Sequence, residues 1–390
     1  MKIRISQLRL DLDDWQKPLK DVAARALRVK PGEILSVRLA RRSVDARDKG
    51  DVHFSLTLDV ETARPVRLPK NAQEIAEKPD REAGRFSALE SVAQKTGNRK
   101  AAASGVERPT LKAEASGVER PALKAAASGR GPCPLVVGMG PAGLFAALTL
   151  ARAGMRPVVV ERGRPVDQRE QDVAVFWNGG PLNPESNVQF GEGGAGTFSD
   201  GKLNSGIKDP RCRRVLEEMH AAGAPQDILW QAKPHVGTDH LKTMVKNLRE
   251  QINALGGDVR FETKLTGLIV ADGAVAGARL CGPDGEYEIP ADAVILAVGH
   301  SARDTFKMLY DAGVAMSRKP FAIGARIEHR QAAVNRAQYG AAAGHPALGA
   351  ADYKLAVHLP DGRSAYTFCM CPGGQVIAPG GPRDFPWGPT

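Results

Sequence analysis

The sequence is poor in aromatic residues and in cysteine. Aromatic side chains make up 5% of its 390 residues, and the cysteines lie at positions 133, 212, 281, 369 and 371. Five cysteines without a regular spacing argue against a disulfide scaffold and favour a reducing compartment. The chain also lacks a C-x-x-C pair, which excludes a pair of adjacent redox thiols of that kind. The first residues, "MKIRISQLRLDLDDWQ", lack the order of a signal peptide, so we expect a cytoplasmic protein.

Long uninterrupted apolar runs are absent as well. The stretch that comes nearest to one, residues 132–160, is broken by Arg152, Arg156, Pro141 and Pro157. Because charged residues and prolines interrupt this stretch, we do not interpret it as a helix that crosses a bilayer. We therefore predict no membrane association.

Positive charge is concentrated in the first third of the chain. Of the net charge of +10, most lies in residues 1–130, which carry 27 Lys and Arg against 18 Asp and Glu. Such an excess is typical either of a protein that binds nucleic acid or of a solvated surface followed by a basic linker. Because no RNA-binding aromatic signature and no zinc-ligand spacing accompany it, we favour the second interpretation and expect no nucleic acid partner.

The N-terminal segment predicts a small α/β module. "KIRISQLRL" alternates with a period of two, "WQKPLKDVAARALRV" has helical spacing, and two further alternating segments flank the polar "DKG" turn. This order indicates a strand, a helix and a β-hairpin. Further on, "ASGVERPTLKAE" is followed directly by "ASGVERPALKAA", and two copies of a twelve-residue unit in an Ala- and Lys-rich stretch are typical of a linker.

The most informative stretch is "PLVVGMGPAGLFAALTLARAGMRPVVVERG". A short strand at 135–137 is followed by the glycine loop, a helix at about 141–153 and a second strand at 158–160. Gly138 is placed for the tight turn, Gly140 for the approach of a pyrophosphate to the backbone, and Gly143 for close helix–strand packing. The N-terminus of the helix would face the phosphates. The pattern predicts a dinucleotide site.

An acidic residue follows at the expected distance. Glu161 lies 18 residues after Gly143, at the end of the second strand, where a carboxylate can accept hydrogen bonds from ribose hydroxyls. A carboxylate at this point disfavours a 2′-phosphorylated ligand such as NADP, because like charges would meet. The alternative interpretation is a glycine-rich turn in an unrelated α/β fold.

Beyond these features the chain resembles a known family. "GMGPAGLFAALTLARAG", "NVQFGEGGAGTFSDGKLNSGIKDP", "AKPHVGTDHLKTMVKNLREQI", "ADAVILAVGHSARDTFKMLYDAGVAM" and "KPFAIGARIEHRQ" are similar to segments of uncharacterised bacterial FAD-dependent dehydrogenases. That family is related to the geranylgeranyl-reductase and hydroxybenzoate-hydroxylase class. The resemblance implies an α/β fold with a Rossmann-like FAD-binding domain of the two-dinucleotide-fold flavoprotein type. It also implies the small N-terminal α/β module, an incomplete substrate domain and FAD as the cofactor.

The resemblance and the motifs together predict the residues of the FAD site. In the loop "FGEGGAGTFSDGKL" (190–203), backbone N–H groups and one lysine would suit a phosphate or a reduced flavin, with a mobile surface loop as the alternative. In the resembling fold, the chain near Leu265 meets the adenine, and Gly299 lies beside the cofactor. His300 is considered for chemistry, but a structural role is favoured. The predicted cofactor-binding residues are Gly138, Gly140, Pro141, Gly143, Glu161, Arg162, Gly194, Lys202, Leu265 and Gly299; no catalytic residue and no metal ligand are assigned.

The resemblance also predicts the organisation of the chain. We expect an N-terminal α/β module at 1–95, a low-complexity linker at 96–131, an FAD-binding domain with a helical insert at 132–317, a partial substrate domain at 318–378 and an irregular tail at 379–390. The resembling fold normally returns to its flavin domain after the substrate domain. Because the ending "APGGPRDFPWGPT" shows no resemblance to that return, we expect a C-terminally truncated version of a longer enzyme.

The expected function is that of an FAD-dependent oxidoreductase that transfers hydride or electrons through bound flavin. Its small-molecule substrate, electron donor and oligomeric state are not defined by the sequence. The alternatives are an RNA-associated flavoprotein and a truncated, non-catalytic remnant. Cys369 and Cys371 form a C-x-C pair whose Cα atoms lie too far apart for an easy disulfide, and two sulfurs are too few for a closed zinc site. We therefore predict a buried strand there, with a flavin-facing thiol as the alternative.

Overall fold

The computed structural model describes residues 1–75, 133–198, 201–203, 207, 209, 211–367 and 370–372. Their contacts form two units, and the first combines the N-terminal segment with Lys202–Val236 and a segment that begins at Ala325. The second unit runs from Cys133 to Gly201 and over Gly237–Gly324. The predicted linker with its repeat, the predicted tail and Cys369 lie outside the described residues.

The strands and helices are numbered here along the described chain. The strands are β1 Lys2–Asp11, β2 Ile34–Asp45, β3 His53–Thr62, β4 Ala72–Glu74, β5 Leu135–Val137, β6 Val158–Val160, β7 Asp258–Arg260, β8 Lys264–Ala271, β9 Ala274–Gly282, β10 Gly285–Pro290, β11 Val294–Leu296, β12 Ala356–His358 and β13 Ser364–Tyr366. The helices are α1 Leu19–Leu27, α2 Pro141–Arg152, α3 Val166–Trp177, α4 Arg211–Ala221, α5 Thr238–Ala254, α6 Arg303–Asp311 and α7 Gln331–Tyr339.

The first unit is built on an antiparallel sheet with the order β2-β3-β1-β4. Along β3 every second residue is buried, because successive side chains of a strand point to opposite faces. The buried side chains of this face pack with one face of α1 in a core that includes Ile3, Leu58 and Leu27. The strand, helix and hairpin predicted from the N-terminal periodicity are therefore present in that order.

Helical and hairpin segments from further along the chain complete the first unit. Residues 202–236 and α7 belong to it by their contacts, although residues 202–236 lie inside the range predicted for the FAD-binding domain, 132–317. Ala342 and Leu348 pack against the core of the N-terminal sheet. The short hairpin of β12 and β13 lies in the predicted substrate-domain segment, and its residues are exposed. Elements distant in sequence thus share one core, which periodicity alone does not reveal.

The second unit is built on a parallel sheet with the order β11-β5-β6-β7. The strand that comes first in the chain, β5, lies between β6 and β11, so the chain order reverses on the two sides of β5. In open parallel sheets, ligands bind outside the carboxyl ends of the strands at such a reversal. A three-stranded antiparallel sheet, β10-β9-β8, completes the unit, and Leu265 and Leu280 share its core with Leu135. The α/β, Rossmann-like fold predicted from the sequence is confirmed for this unit.

The length and composition of the helices show whether any of them could cross a membrane. Among the helices of the described residues, none combines the length and the apolar composition that a membrane-crossing helix needs.

Leu58 tests how far the N-terminal sheet depends on its core. Its side chain is 0% exposed, whereas Leu35 on the neighbouring strand is 62% exposed. We expect Leu58→Ala to lower the free energy of unfolding by about 2–5 kcal/mol, because a buried leucine leaves a cavity as well as losing its transfer free energy. Leu35→Ala is the matched control and should change it by less than about 0.5 kcal/mol. Urea unfolding followed by tryptophan fluorescence measures both, and equal effects of the two variants would contradict this placement of the core.

Candidate cofactor site

The first glycine loop follows β5 and needs two of its glycines for steric reasons. Gly138 has φ +95°, and a Cβ built on it would lie 2.5 Å from the carbonyl oxygen of Ala297. A Cβ on Gly143 would lie 1.8 Å from the carbonyl oxygen of Gly138. Both positions thus bring backbone against backbone at distances that no side chain allows. The turn and helix-packing roles predicted for these two glycines agree with this geometry.

Gly140, the middle glycine of the loop, has open space beside it. A Cβ on Gly140 would meet nothing closer than 3.7 Å. Gly140 is also the N-cap of α2 and has no side chain with which to cap the helix, and Pro141 at the next position has no N–H group. The amides of Ala142 and Gly143 have no acceptor within the helix, since the first N–H groups of any helix lack one. The loop therefore presents open space and hydrogen-bond donors at the positive end of a helix.

A second glycine loop, residues 187–194, lies against the first. A Cβ on Gly194, which has φ +65°, would lie 3.0 Å from the Cα of Gly140 and 3.3 Å from the Cδ of Pro141. The amide of Gly193 donates to the carbonyl of Met139 at 2.8 Å. The two loops therefore touch backbone to backbone, and glycine in the second loop is required by this close approach.

The carboxylate of Glu161 lies between these loops and accepts three backbone hydrogen bonds. Its Oε2 accepts from the amide of Met139 at 2.7 Å, and its Oε1 accepts from the amides of Gly163 and Gly191, both at 2.9 Å. The residue is 5% exposed. Glu161 therefore ties together the first glycine loop, the turn after β6 and the second glycine loop.

Arg169, on α3, is the centre around which the second glycine loop folds. It is 0% exposed and donates to the carbonyl oxygens of Asn187, Val188, Glu192 and Gly194 at 2.6–2.9 Å. A Cβ on Gly191 would lie 2.3 Å from the Cδ of the arginine. Desolvation by burial lowers its pKa to about 10, against the opposing effect of nearby carboxylates. The guanidinium therefore stays charged at neutral pH and is solvated by loop carbonyls in place of water.

A second buried carboxylate stands in the loop itself. Glu192 is 0% exposed; its Oε2 accepts from the amide of Val166 at 2.7 Å and from Arg249 at 3.0 Å, whereas its Oε1 is buried without a hydrogen bond. Burial raises the pKa of Glu192, although these donors oppose the shift. Glu192 thus joins the loop to α3 and α5.

Both glycine loops line one pocket of about 590 Å³ at the carboxyl ends of the parallel strands. Its wall also contains the start of β8, the loop after β11 and part of α6. Apolar side chains such as Leu265, Leu296 and Phe306 form much of the wall, and the polar backbone of the two loops forms the rest. The pocket therefore combines an apolar part with a donor-rich part, as a dinucleotide with a base and a pyrophosphate requires.

Two charged side chains of the pocket wall, Arg162 and Lys264, form a rim network with Glu185 and Asp304, which are not among the lining residues. Arg162 donates to Glu185 at 2.6 Å and to both carboxylate oxygens of Asp304 at 2.9 Å, and its guanidinium lies 4.2 Å from the centre of the Phe190 ring. Lys264 donates to Glu185 at 3.0 Å and lies 3.6 Å from Asp304. Arg162 is 13% exposed in its side chain, so the network fixes the position of its guanidinium at the wall of the pocket.

The network shifts the protonation of its carboxylates. Burial by itself would raise the pKa values of Glu185 and Asp304, but hydrogen bonds and charge from Arg162, with Lys264, outweigh burial and hold both values below their usual range. Burial opposes the same bonds at Arg162, whose pKa is nevertheless raised. Arg162, Glu185 and Asp304 are therefore charged at neutral pH.

Most residues predicted for the site come together at this pocket. Its wall contains Gly138, Gly140, Pro141, Glu161, Arg162, Gly194, Leu265 and Gly299. Gly143 lies behind it, in the helix–strand contact that the sequence predicts for it. Lys202 belongs by its contacts to the first unit, where it forms a bridge with His235, and it is not part of this wall. His300 lines the pocket and shares a hydrogen bond of 2.7 Å with Ser301.

The sequence did not reveal the residues that support the loops. Arg169, Glu185 and Lys264 belong to none of the quoted motifs, and Glu192 and Asp304 lie in quoted segments in which no role was assigned to them. Arginine and glutamate strongly prefer solvent, so a buried one indicates a structural or functional role. Burial is a property of the tertiary structure, and the sequence alone does not show it.

Comparison with protein families identifies segments of this chain that are similar to FAD-dependent proteins. Residues 134–183, which include the first glycine loop, Glu161 and Arg169, match the FAD binding domain. Residues 320–382 match the C-terminal domain of FAD-dependent proteins, and residues 2–61 match a domain of unknown function. The match to the FAD binding domain lies within the second unit. Two segments of the chain are thus similar to FAD-dependent proteins, and the predictions of this class and of FAD as cofactor are confirmed.

The chain is also similar to three curated proteins. An uncharacterized protein of Clostridium beijerinckii is 43% identical over 381 residues, which are 97% of this chain and 64% of that protein. Aklavinone 12-hydroxylase of Streptomyces purpurascens is 32% identical over 179 residues, covering 43% of this chain and 32% of the hydroxylase. Digeranylgeranylglycerophospholipid reductase of Methanosarcina acetivorans is 30% identical over 193 residues, 48% of this chain and 42% of the reductase. The chain therefore spans less than two thirds of the length of each of these relatives.

The residues present fit FAD. The uncapped N-terminus of α2 and the space beside Gly140 suit a pyrophosphate, because a phosphate accepts hydrogen bonds from helix N-terminal amides and is stabilised by the helix dipole. The apolar wall near Leu265 suits the adenine. Glu161 and Arg169 hold the two loops that would bind the cofactor.

Substitutions at Gly140 and Gly143 distinguish the contact with the cofactor from the packing of the helix. We expect Gly140→Ala to keep the stability of the protein and to weaken FAD binding by about ten-fold or more, because the added methyl group occupies the space beside the pyrophosphate. Gly143→Ala should instead lower the melting temperature, since its Cβ overlaps the carbonyl of Gly138. Thermal unfolding and FAD titration measure the two effects. If Gly140→Ala bound FAD as the unchanged protein does, the space beside Gly140 would not be the pyrophosphate site.

The rim network predicts a dependence of stability on pH. Because the pKa of Asp304 is lower in the folded than in the unfolded protein, the unfolded state takes up the proton first as the pH falls. The stabilisation by Asp304 is thus present above the ordinary pKa of about 4 and is lost as the pH falls through the lower folded value. We expect Asp304→Asn to lower the melting temperature at pH 7 and to have a smaller effect near pH 3, which is below the ordinary pKa of the carboxyl group.

The control for this measurement is Asp311→Asn, which removes an exposed ion pair with Lys307 on the same helix. Exposed pairs contribute little to stability, so its effect should be small at both pH values. An effect of Asp304→Asn that is the same at pH 7 and pH 3 would contradict the charged network.

Proposed function

We propose that the protein is an FAD-dependent oxidoreductase that transfers hydride or electrons through bound flavin between a small-molecule substrate and an electron donor or acceptor. The observation that carries the proposal is the pocket between two glycine loops at the uncapped N-terminus of α2. Bound FAD would supply two-electron redox chemistry there. The match of residues 320–382 to the C-terminal domain of FAD-dependent proteins supports the same proposal.

The protein's own residues bind and orient the cofactor. Amides at the start of α2 would donate to the pyrophosphate, and the fixed loops keep those donors in position before the cofactor arrives. Donors held in place by the fold lose little conformational entropy on binding, which favours affinity. Arg162 lines the pocket with its guanidinium already neutralised by Glu185 and Asp304, so it contributes a flat surface against Phe190 more than a net charge.

We also propose a location in the cytoplasm and a partner other than nucleic acid. The cytoplasm is supported by Cys133, Cys212 and Cys281, which are free thiols, as a reducing compartment would keep them. The case against nucleic acid is the pairing of arginines in the N-terminal sheet. Ion pairs join Arg4 and Arg38 to Asp59, Arg9 to Asp51, Arg47 to Asp45 and Arg64 to Glu33.

Spectroscopy of the purified protein tests the proposed function. We expect a flavin absorbance spectrum after reconstitution with FAD, and bleaching of that spectrum under anaerobic conditions with NADH or NADPH as the donor. Gly140→Ala at the same concentration is the control and should retain less flavin. A reconstituted protein that holds FAD but is reduced by neither NADH nor NADPH would contradict the expected electron donor, whereas failure to bind FAD would rule out the cofactor site itself.

A further inference from the structure

Glu192 lies in the second glycine loop between two residues that line the cofactor pocket. Gly191 and Gly194 belong to the wall of the pocket, whereas Glu192 is not a lining residue and is 0% exposed. A Cβ on Gly193 would lie 3.1 Å from Cγ2 of Val245 on α5, so the loop packs closely against that helix. A carboxylate is rarely buried to this extent. The protonation of Glu192 therefore bears on the packing of a loop that forms the pocket.

Only one of the two oxygens of this carboxylate has hydrogen-bond partners among the described residues. Oε2 accepts from the amide of Val166, the first residue of α3, at 2.7 Å and from Arg249 on α5 at 3.0 Å. Pro165 at the N-cap of α3 makes no side-chain cap, so Glu192 supplies an acceptor there. Oε1 is buried without a hydrogen bond. Since a charged oxygen that has lost water and gained no donor is costly, the ionised carboxylate is incompletely compensated.

The charged groups that face Glu192 come from two helices. Arg249 on α5 and Arg169 on α3 favour the ionised carboxylate, whereas Asp167 on α3 disfavours it. Burial outweighs the two arginines and raises the pKa of Glu192 above its ordinary value. The packed loop therefore binds a proton more tightly than a loop whose Glu192 is in water. By linkage, protonation of Glu192 favours the packed loop, and ionisation as the pH rises opposes it.

We propose that Glu192 is a positioning residue that couples the affinity for FAD to one proton, with the second glycine loop packed most stably and FAD bound most tightly when its carboxyl group is protonated. The pyrophosphate of FAD would bind beside Gly140, which Gly194 contacts. A second negative charge near a buried carboxylate disfavours its ionised form. FAD binding therefore takes up a proton from solution. The proposal rests on the FAD site described above, but its statement about the loop also applies to the cofactor-free protein.

Glu192→Gln tests the role of the proton. Glutamine has nearly the shape of protonated glutamate and stays neutral at every pH, so its affinity for FAD should match that of the protonated form and lose the dependence on pH. Glu250→Gln is the matched control, because Glu250 is an exposed glutamate next to Arg249 on α5. Arg249→Gln is the companion variant. It removes a charge that favours the ionised carboxylate, so the dependence on pH should move to higher pH, and this shift decides the question if Glu192→Gln fails to fold.

The first measurement is calorimetric titration with FAD at pH 6 and pH 8, in two buffers that differ in ionisation enthalpy. We expect the unchanged protein and Glu250→Gln to take up protons on binding and to bind FAD about three-fold or more tightly at pH 6 than at pH 8. The limit for one proton is about ten-fold for each pH unit. Glu192→Gln should show neither effect. No uptake by the unchanged protein, or an equal uptake by Glu192→Gln, overturns the proposal.

The second measurement is amide hydrogen exchange in the cofactor-free protein at the same two pH values, corrected for the intrinsic effect of pH on exchange. We expect peptides over residues 187–194 to be more protected at pH 6 than at pH 8 in the unchanged protein, and equally protected at both in Glu192→Gln. Peptides from α5, which contains the buried Leu248 and Ile252, report whether the domain remains folded. Equal protection of the loop at both pH values in the unchanged protein, with α5 protected, refutes the proton dependence. Failure to bind FAD counts against the cofactor site, and the exchange experiment still decides on the loop.

Discussion

The burial of the Arg169 guanidinium is the interaction on which the cofactor site depends. A fully buried positive charge is costly unless its hydrogen bonds are satisfied, and here four carbonyl groups of residues 187–194 satisfy them. The chain can wrap so closely around the side chain because Gly191 has no Cβ to collide with it. The shape of the second glycine loop therefore follows from the charge at its centre.

That loop in turn forms one side of the pocket. Gly194 touches Gly140, and Glu161 bonds to both loops, so the two backbones keep a fixed spacing. The carbonyl groups of the second loop point to Arg169, whereas the start of α2 has donors left for a ligand. The division of backbone groups between structure and ligand is what makes this site suitable for a pyrophosphate, which only accepts hydrogen bonds.

In the rim network, charged side chains are paired with one another instead of with backbone groups. Arg162 and Lys264 would attract any anion if they stood alone, but Glu185 and Asp304 neutralise them and restrain their positions. Arg4, Arg9 and Arg38 of the N-terminal sheet are paired in a similar way. The chain has a net charge of +10. At these positions, however, each basic side chain forms an ion pair with an aspartate or a glutamate, so the net charge does not imply an exposed cationic surface there.

Local sequence determined the strand–glycine loop–helix unit, the order of elements in the N-terminal sheet and the class of cofactor. These features depend on residues close together in the chain: Gly138 and Gly143 are required by a turn and a contact that lie within a few residues of each other. Only the tertiary structure decided the roles of Arg169 and Glu161, the rim network and the membership of residues 202–236 in the first unit. Each of these depends on contacts between residues far apart in sequence, and a charged side chain shows no sign in the sequence of whether the fold will bury it.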